Sequence, residues 1–320
     1  MERPRIEVLD LGKSYGQVNA LANVTLRVGA GTVLGVLGHN GAGKTTLVDI
    51  LATRGRPTTG SAKVCGWDVV KHGDKVRERI GMTSQFVAVD DGMTGRDNLI
   101  LLARLLGANA RQAKARAEEL LEAFDLVDAA NRKSSTYSGG MRRRLDLAAS
   151  LISRPDVLFL DEPTTGLDPA SRTDVWGFVE RLAADGTTVF LTTQYLEEAD
   201  RLAHQVVVLA AGYVVASGTP DQLKAGIGKR HVMVTLASSH ATFHAAAALT
   251  RHRLSPVADA KLCTVMVPIP EAGDIAAVVR ALDSARIPIQ DLKISEPSLN
   301  DVYMALHRSG WNSDGWRSAS

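Results

Sequence analysis

The chain has 320 residues, 45% hydrophobic and 22% charged, with 37 Lys and Arg against 35 Asp and Glu for a formal charge of +2. At roughly 150 residues per domain the length predicts two domains, and the composition excludes a mostly disordered, collagen-like or disulfide-stapled chain. So small a net charge gives no electrostatic reason to expect a nucleic acid or an anionic membrane as partner. Cys65 and Cys263 form no closely spaced framework and point to a reducing compartment, and the first ten residues lack the apolar run of a signal peptide. Apolar stretches such as 206–211 and 214–216 fall well short of the roughly 18 residues that cross a bilayer.

Residues 5–37 read as short strands separated by turns at Gly16, Gly29 and Gly31, ending in an apolar strand over 32–37. After a glycine loop, Leu47, Ile50 and Leu51 predict a helix over 46–53. Thr94 with Asp97 caps a helix with Leu99, Leu102, Ala103 and Leu106 on one face and a stop at Gly107. A second helix from about Ala110 carries Ala113, Ala117, Leu120, Leu121 and Phe124 as its stripe, and Leu145, Ala148, Ala149 and Ile152 stripe a third over 141–153. Apolar runs over 157–160 and 187–191, separated by a helical pattern, are what βαβ units of a buried parallel sheet produce. Runs 206–209 and 213–216, joined through Ala211 and Gly212, read as a hairpin.

Residues 217–229, with Gly218, Pro220, Gly226 and Gly228, read as linker chain with a short helix over 222–225. Beyond it the pattern parses as strand 231–237, helix 242–250, strands 254–258 and 262–267, helix 273–285 and strand 288–294. That βαββαβ order suggests a small α+β, ferredoxin-like sandwich. Ser298 with Asp301 caps a last helix over 299–306. The expected division is a first domain over 1–223, a linker over 224–229, an accessory domain over 230–308 and a disordered tail over 309–320.

Gly38-His39-Asn40-Gly41-Ala42-Gly43-Lys44-Thr45 matches the phosphate-loop pattern between a strand and a helix. Backbone N–H groups there can surround a polyphosphate while the helix N-terminus adds partial positive charge. Lys44 is placed for the β and γ phosphates and the Thr45 hydroxyl for Mg²⁺. Asp161 and Glu162 directly follow a buried strand: Asp161 fits a Mg²⁺ role, directly or one layer out, and Glu162 can polarise an attacking water as general base. Solvated acids at a strand end are the plainer alternative. Ser138-Gly139-Gly140 leaves a second helix N-terminus of bare N–H groups, suited to a γ-phosphate or, taken alone, only a helix cap.

The phosphate loop, Tyr137-Ser138-Gly139-Gly140-Met141, Leu160-Asp161-Glu162-Pro163 and Thr165-Gly166-Leu167-Asp168, in this order, resemble the nucleotide-binding subunit of ATP-binding cassette transporters over residues 6–223. Residues 137–146, 191–200 and 298–303 are similar to the daunorubicin resistance ATP-binding subunits of actinobacteria, which carries the likeness through the second domain. The resemblance implies an α/β, P-loop NTPase fold with a RecA-like core and antiparallel β and α-helical subdomains. It implies that Tyr15 stacks on adenine, that Gln85 touches Mg²⁺ and the attacking water, and that Thr46 joins the loop in holding ATP. It also implies that Asp168 crosses to an opposite subunit. Two chains would then pack head to tail as a homodimer, the phosphate loop of one and Ser138, Gly139 and Gly140 of the other enclosing each ATP.

The same resemblance implies an integral membrane permease as a separate partner chain, no nucleic-acid partner, and a place at the cytoplasmic face of the cell membrane. The activity implied is ATP hydrolysis that drives efflux of hydrophobic or amphipathic compounds, antibiotics such as anthracyclines or lipids. A soluble cassette ATPase with a ribosome- or DNA-linked regulatory role is the alternative; such chains normally carry two cassettes or a coiled-coil insertion, and this one has neither. Gln194 stands where most relatives have a catalytic histidine, and a glutamine amide donates a hydrogen bond but carries no charge. His39 replaces a common proline, and Tyr137 and Met141 a leucine and a glutamine, with the Ser-Gly-Gly intact.

Three weaker signals remain. His240 and His244 are four apart on a predicted helix with no third ligand evident, and read as solvent-facing. Arg142, Arg143 and Arg144 read as a solvated or interface helix face. Phe86, Val87, Val89 and Met93 form an apolar loop that either lines a permease groove or packs in the core.

Overall fold

The computed structural model describes residues 3–83, 89–226, 231–269, 273–295 and 297–308. The chain divides into two compact units, one running to Pro220 and one from Asp221. The first opens with β1 (Ile6–Tyr15), β2 (Val18–Val28) and β3 (Val33–Leu37), then α1 (Lys44–Leu51), β4 (Thr59–Val64), β5 (Trp67–Asp68), α2 (Gly73–Arg77) and β6 (Ile80–Thr83). The helical middle is α3 (Gly95–Leu105), α4 (Ala110–Ala123) and α5 (Gly139–Ser150). The α/β pattern then resumes with β7 (Val157–Asp161), α6 (Pro169–Ala184), β8 (Thr188–Thr193), α7 (Leu196–Leu202), β9 (Gln205–Ala210) and β10 (Tyr213–Gly218).

Two sheets result. One is antiparallel in the order β2-β1-β4-β5; the other has the order β10-β9-β3-β8-β7-β6, parallel from β9 to β6 with β10 antiparallel at the edge. The parallel strands read as nearly unbroken apolar runs because both faces are covered. Alternation of side chains then sorts them between two cores. Phe159 and Phe190 join Leu34 and Val36 against α1 and the antiparallel sheet. Leu158, Leu160, Val189 and Leu191 face the other way, toward the core that α3 to α6 complete.

The sequence boundaries hold to within a few residues, with informative exceptions. The first helix begins at Lys44 rather than 46, because the phosphate loop closes directly onto it. Leu106, placed on the buried stripe of α3, is 64% exposed; it follows the last helical residue, where the chain turns toward Gly107. β4, β5 and β6 had no reading, being short and, in β4, half polar.

A short helix α8 (Pro220–Ala225) stands at the division between the units. In the second unit, β11 (His231–Thr235), α9 (Ser239–Arg251), β12 (Val257–Asp259), β13 (Thr264–Pro268), α10 (Gly273–Ser284), β14 (Asp291–Ser295) and α11 (Leu299–Arg308) follow. All neighbouring pairs of its sheet are antiparallel, in the order β12-β13-β11-β14. This is the split βαβ arrangement that the element order suggested. Val232, Val234, Val265 and Val267 bury one sheet face with Ala245 and Leu249 of α9 and Val278 and Leu282 of α10.

Candidate active site

β3, β7 and β8 end side by side: Leu37 pairs with Thr193 and Asp161 with Thr192. Three loops therefore leave one edge of the sheet, the edge at which open α/β sheets present their ligands. Gly43, at the head of α1, has φ 107°, and a Cβ there would collide with the Ala20 carbonyl oxygen. Any side chain would both strain the backbone and meet rigid main chain. Lys44 follows, 5% exposed, its Nζ donating to the carbonyl oxygens of Gly38 at 2.7 Å and His39 at 3.2 Å. That Nζ also lies 3.5 Å from Glu162 Oε1. So buried an ammonium requires such partners, and the loop curls around it where the free amides of the first turn of α1 converge.

Asp161, 4% exposed, accepts from Thr45 Oγ1 at 3.2 Å on one oxygen and from Thr192 Oγ1 at 2.5 Å on the other. Asp49 sits one turn along α1 from Thr45. Burial raises its carboxyl pKa against the pull of Arg54, whose Nε lies 3.5 Å from Asp49 Oδ1, and the charge of Asp161 adds to the rise. Hard oxygen donors in a region of surplus negative potential suit a small divalent cation, and Thr45 and Asp161 fit Mg²⁺ by that chemistry.

Glu162 has φ 49°. The left-handed region costs a non-glycine residue of order 1–3 kcal/mol and persists only where surroundings enforce it. Here its N–H donates to both the carbonyl oxygen and the hydroxyl of Thr192, at 3.1 and 3.2 Å, and its Oε2 accepts from Thr165 Oγ1 at 3.3 Å. The carboxylate is thereby turned back over the phosphate loop.

A second group gathers at the start of α5. Ser138 caps the helix, its Oγ accepting from Met141 N at 3.2 Å, and Gly139 and Gly140 form the first turn. A Cβ on Gly140 would collide with Ser171 Oγ, which donates to Asp168 Oδ2 at 2.7 Å, while Ser171 N donates to Asp168 Oδ1 at 3.0 Å. These bonds hold the Asp168 carboxyl below the usual aspartate range. Within this chain Asp168 is thus the N-cap of α6, joined to the Ser-Gly-Gly turn through Ser171.

Tyr15 is 56% exposed with Lys13 Nζ 4.8 Å above its ring, a surface platform and not a core residue. Gln194, exposed, directly follows β8. His39, Asn40 and Gly41 are exposed on the loop rim, Ala42 is buried beneath it and Thr46 is half-buried. Gln85, with Phe86 and Val87, lies outside the described residues; Val89 is buried and Met93 half-buried. His240 and His244 face each other at 4.5 Å between ring centroids on exposed helix surface, and among the described residues no three His, Cys, Asp or Glu side chains group to hold a metal.

The basic run needs correction. Arg142 pairs with Asp91 and Arg144 with Asp125, but Arg143 turns inward, where Asp146 and the Pro163 carbonyl receive it. Thr192 is the site residue that sequence reasoning missed; the only signal was a pair of threonines closing an apolar strand.

Lys44 against Glu162 and Thr45 against Asp161, where the head of α1 meets the end of a parallel strand, are the geometry of a P-loop nucleoside triphosphatase. The ABC transporter family model matches residues 21–165. The chain is 50% identical over 295 residues to the daunorubicin resistance ATP-binding protein DrrA3 of Streptomyces coeruleorubidus, covering 92% of this chain and 93% of that one. It is 40% identical over 223 residues to the Nod factor export ATP-binding protein I of Paraburkholderia xenovorans, covering 70% and 73%. The dimeric structure of a bacterial ABC transporter cassette superposes with a TM-score of 0.61 at 25% identity, over 67% of this chain and 98% of that one. The chain belongs to the ABC transporter family, as an ATP-binding and ATP-hydrolysing subunit akin to the daunorubicin resistance ATP-binding proteins.

Proposed function

We propose that this ATPase drives an exporter of hydrophobic or amphipathic compounds, working as a homodimer beneath a separately encoded permease at the cytoplasmic face of the membrane. The observation that carries the reading is the Lys44 ammonium, caged by the Gly38 and His39 carbonyls and facing Glu162 at 3.5 Å. An arriving γ-phosphate takes the place of Glu162 as the anion opposite Lys44. The freed Glu162 carboxylate accepts a proton from the attacking water as its oxygen bonds to the γ-phosphorus. The bond from that phosphorus to the β–γ bridging oxygen breaks, and ADP departs with the charge. Thr45, Asp161 and Gln85 would hold Mg²⁺, which when bound would neutralise charge on the phosphate oxygens.

Tyr15 stacks on adenine, which contributes about 1–3 kcal/mol per base at comparable sites. Gln194 donates a neutral hydrogen bond to the γ-phosphate. The first-turn amides at Ser138, Gly139 and Gly140 of a second copy, with its Asp168 alongside, complete the far side of each ATP. Resistance and export in the names of the relatives support efflux, and the dimeric cassette supports pairing. No helix among the described residues is long and apolar enough to cross a membrane. A cleft of about 810 Å³, where Met82, Ala103 and Leu106 lie among Arg77, Arg116 and Glu119, offers a mixed apolar and charged seat for a cytoplasmic segment of the permease. Accessory-domain residues 230–308 have no assigned step.

The test is transport in inverted membrane vesicles holding this chain and its permease. ATP-dependent anthracycline uptake is expected with the wild-type chain and not with Glu162→Gln, which should keep Mg-ATP binding while losing about 100-fold or more in turnover. Uptake at the wild-type rate by Glu162→Gln would refute the mechanism.

A further inference from the structure

Behind the strand ends that carry Asp161 and Glu162 lies a buried charged cluster that the nucleotide chemistry leaves unused. Glu198, in α7 and four residues beyond Gln194, is wholly buried. Its Oε1 accepts from the Trp176 indole of α6 at 3.1 Å, but its Oε2 has no partner. Burial raises the Glu198 carboxyl above the usual glutamate range; the Thr193 and Thr164 hydroxyls and the charge of Arg172 pull it back, with Thr164 Oγ1 short of full hydrogen-bond geometry. Arg143 enters from α5: Nε donates to the Pro163 carbonyl at 2.7 Å and Nη1 to Asp146 at 3.0 Å, while its buried Nη2 is unpaired. Arg172 of α6 lies over the Tyr195 ring at 4.8 Å with its Nε buried and unpaired.

Six buried side-chain polar atoms lack a partner among the described residues, and four belong to this cluster: Arg143 Nη2, Thr164 Oγ1, Arg172 Nε and Glu198 Oε2. Three are donors and one is an anionic acceptor. Buried groups left unpaired raise the energy of the arrangement that contains them. Groups of opposite character left unpaired within one charged cluster leave room for a second, better-paired arrangement of the elements that carry them. The elements meeting here carry the residues that the proposed hydrolysis uses. α5 presents Ser138, Gly139 and Gly140; the Pro163 carbonyl belongs to the residue after Glu162; Thr164 lies on the way to Asp168; α7 follows Gln194.

We propose that Glu198 and Arg143 are positioning residues for ATP hydrolysis, forming a buried latch that ties the Ser-Gly-Gly helix, the 163–168 loop and the Gln194 loop into one unit and completes its pairing when the site closes on ATP. Arg143 transmits through a single charged hydrogen bond: a shift of α5 carries the Pro163 carbonyl with it, and Glu162 is the next residue. Glu198 sets where Arg143 rests. Its charge faces that of Arg143 and Arg172, with Asp146 and, farther off, Asp161 sharing the Arg143 field. The inference rests on Glu162 as the base and Gln194 as the γ-phosphate contact.

Glu198→Gln keeps the side-chain shape and the acceptor for Trp176 and removes only the charge. If Glu198 merely packs, this variant has wild-type kcat and KM, and the latch is refuted. The latch requires kcat to fall about tenfold with KM for ATP within about twofold, the same pattern for Arg143→Gln, and a double variant no slower than the slower single. Additive losses would overturn it. Glu162→Gln, run in parallel, separates the two readings: lost turnover there with none lost at Glu198 leaves the site standing and removes the latch.

A second measurement does not depend on the Glu198 variant folding. Trp67, Trp311 and Trp316 are replaced by Phe in the Glu162→Gln chain, leaving Trp176 alone to emit. Saturating Mg-ATP should shift its emission maximum as its carboxylate partner is drawn toward Arg143. Bound nucleotide with unchanged emission would contradict the proposal.

Discussion

Two bonds from one N–H to Thr192 keep Glu162 in a backbone conformation few side chains accept, and the same threonine's hydroxyl orients Asp161. Thr192→Val keeps the shape of the side chain and removes these hydroxyl bonds. Its expected effect is a rise in the Mg²⁺ concentration needed for half-maximal ATPase activity together with a loss of about 10-fold or more in kcat. An unchanged Mg²⁺ requirement would mean that Asp161 is oriented by Thr45 alone. Gln194→Ala should lower turnover several-fold with ATP affinity kept, since one neutral hydrogen bond contributes only about 0.5–1.5 kcal/mol; an unchanged rate would remove Gln194 from the mechanism. Cys65 is a pH case of different sign. Burial, with Asp156 adding, pushes its thiol up from 9.0 to about 11. A thiol raised in the folded state favours folding below the unfolded pKa, and this contribution is lost as pH rises from 9 toward 11. Denaturant midpoints of the wild type should therefore fall more steeply over that range than those of Cys65→Ala. The phosphate loop was legible because eight consecutive residues must carry the cradle, the lysine and the hydroxyl together. Thr192 was not, because its partner Asp161 is 31 residues away and meets it only through strand pairing.

α5 and α6 show how packing gives meaning to a motif that the sequence presents only as letters. Gly140 is small because Ser171, the residue that completes the Asp168 cap, occupies the space a Cβ would need. Gly140→Ala should turn the Ser171 hydroxyl aside and break its bond to Asp168. Mg-ATP affinity of the isolated chain is expected to stay within about twofold, while turnover and ATP-dependent pairing fall together, since only the closing surface is altered. If turnover persists unchanged, the Ser-Gly-Gly turn has no part in closure. α3, α4 and α5 were readable from 3.6-residue periodicity and their caps, including the reciprocal Asn109 and Gln112 bonds of α4. The direction of a single arginine was not: three consecutive arginines on a helix point about 100° apart in turn, so one of them must face inward. Only the position of Asp146 and the Pro163 carbonyl selects Arg143 for that place. In the second unit, four short strands and two helices were enough to fix the order of the sheet, because the split βαβ connection leaves little freedom once the alternation is set.

For the molecule as a whole, the proposed function gives each chain two half-sites: a phosphate cradle around Lys44 and a Ser-Gly-Gly turn on α5, whose Gly140 packs against the Ser171 that is hydrogen-bonded to Asp168. On that proposal the first takes a triphosphate and the second meets one held by another copy. On the same proposal ATP binding closes the pair and hydrolysis reopens it, which turns chemical energy into mechanical work. Without the partner's turn a protomer should bind ATP and hydrolyse it poorly. The decisive measurement is the solution mass of Glu162→Gln by sedimentation velocity, with and without saturating Mg-ATP. A mass near 34.2 kDa without nucleotide and twice that with it is the expected result. Full nucleotide occupancy with the mass unchanged would contradict the shared site on which the account depends.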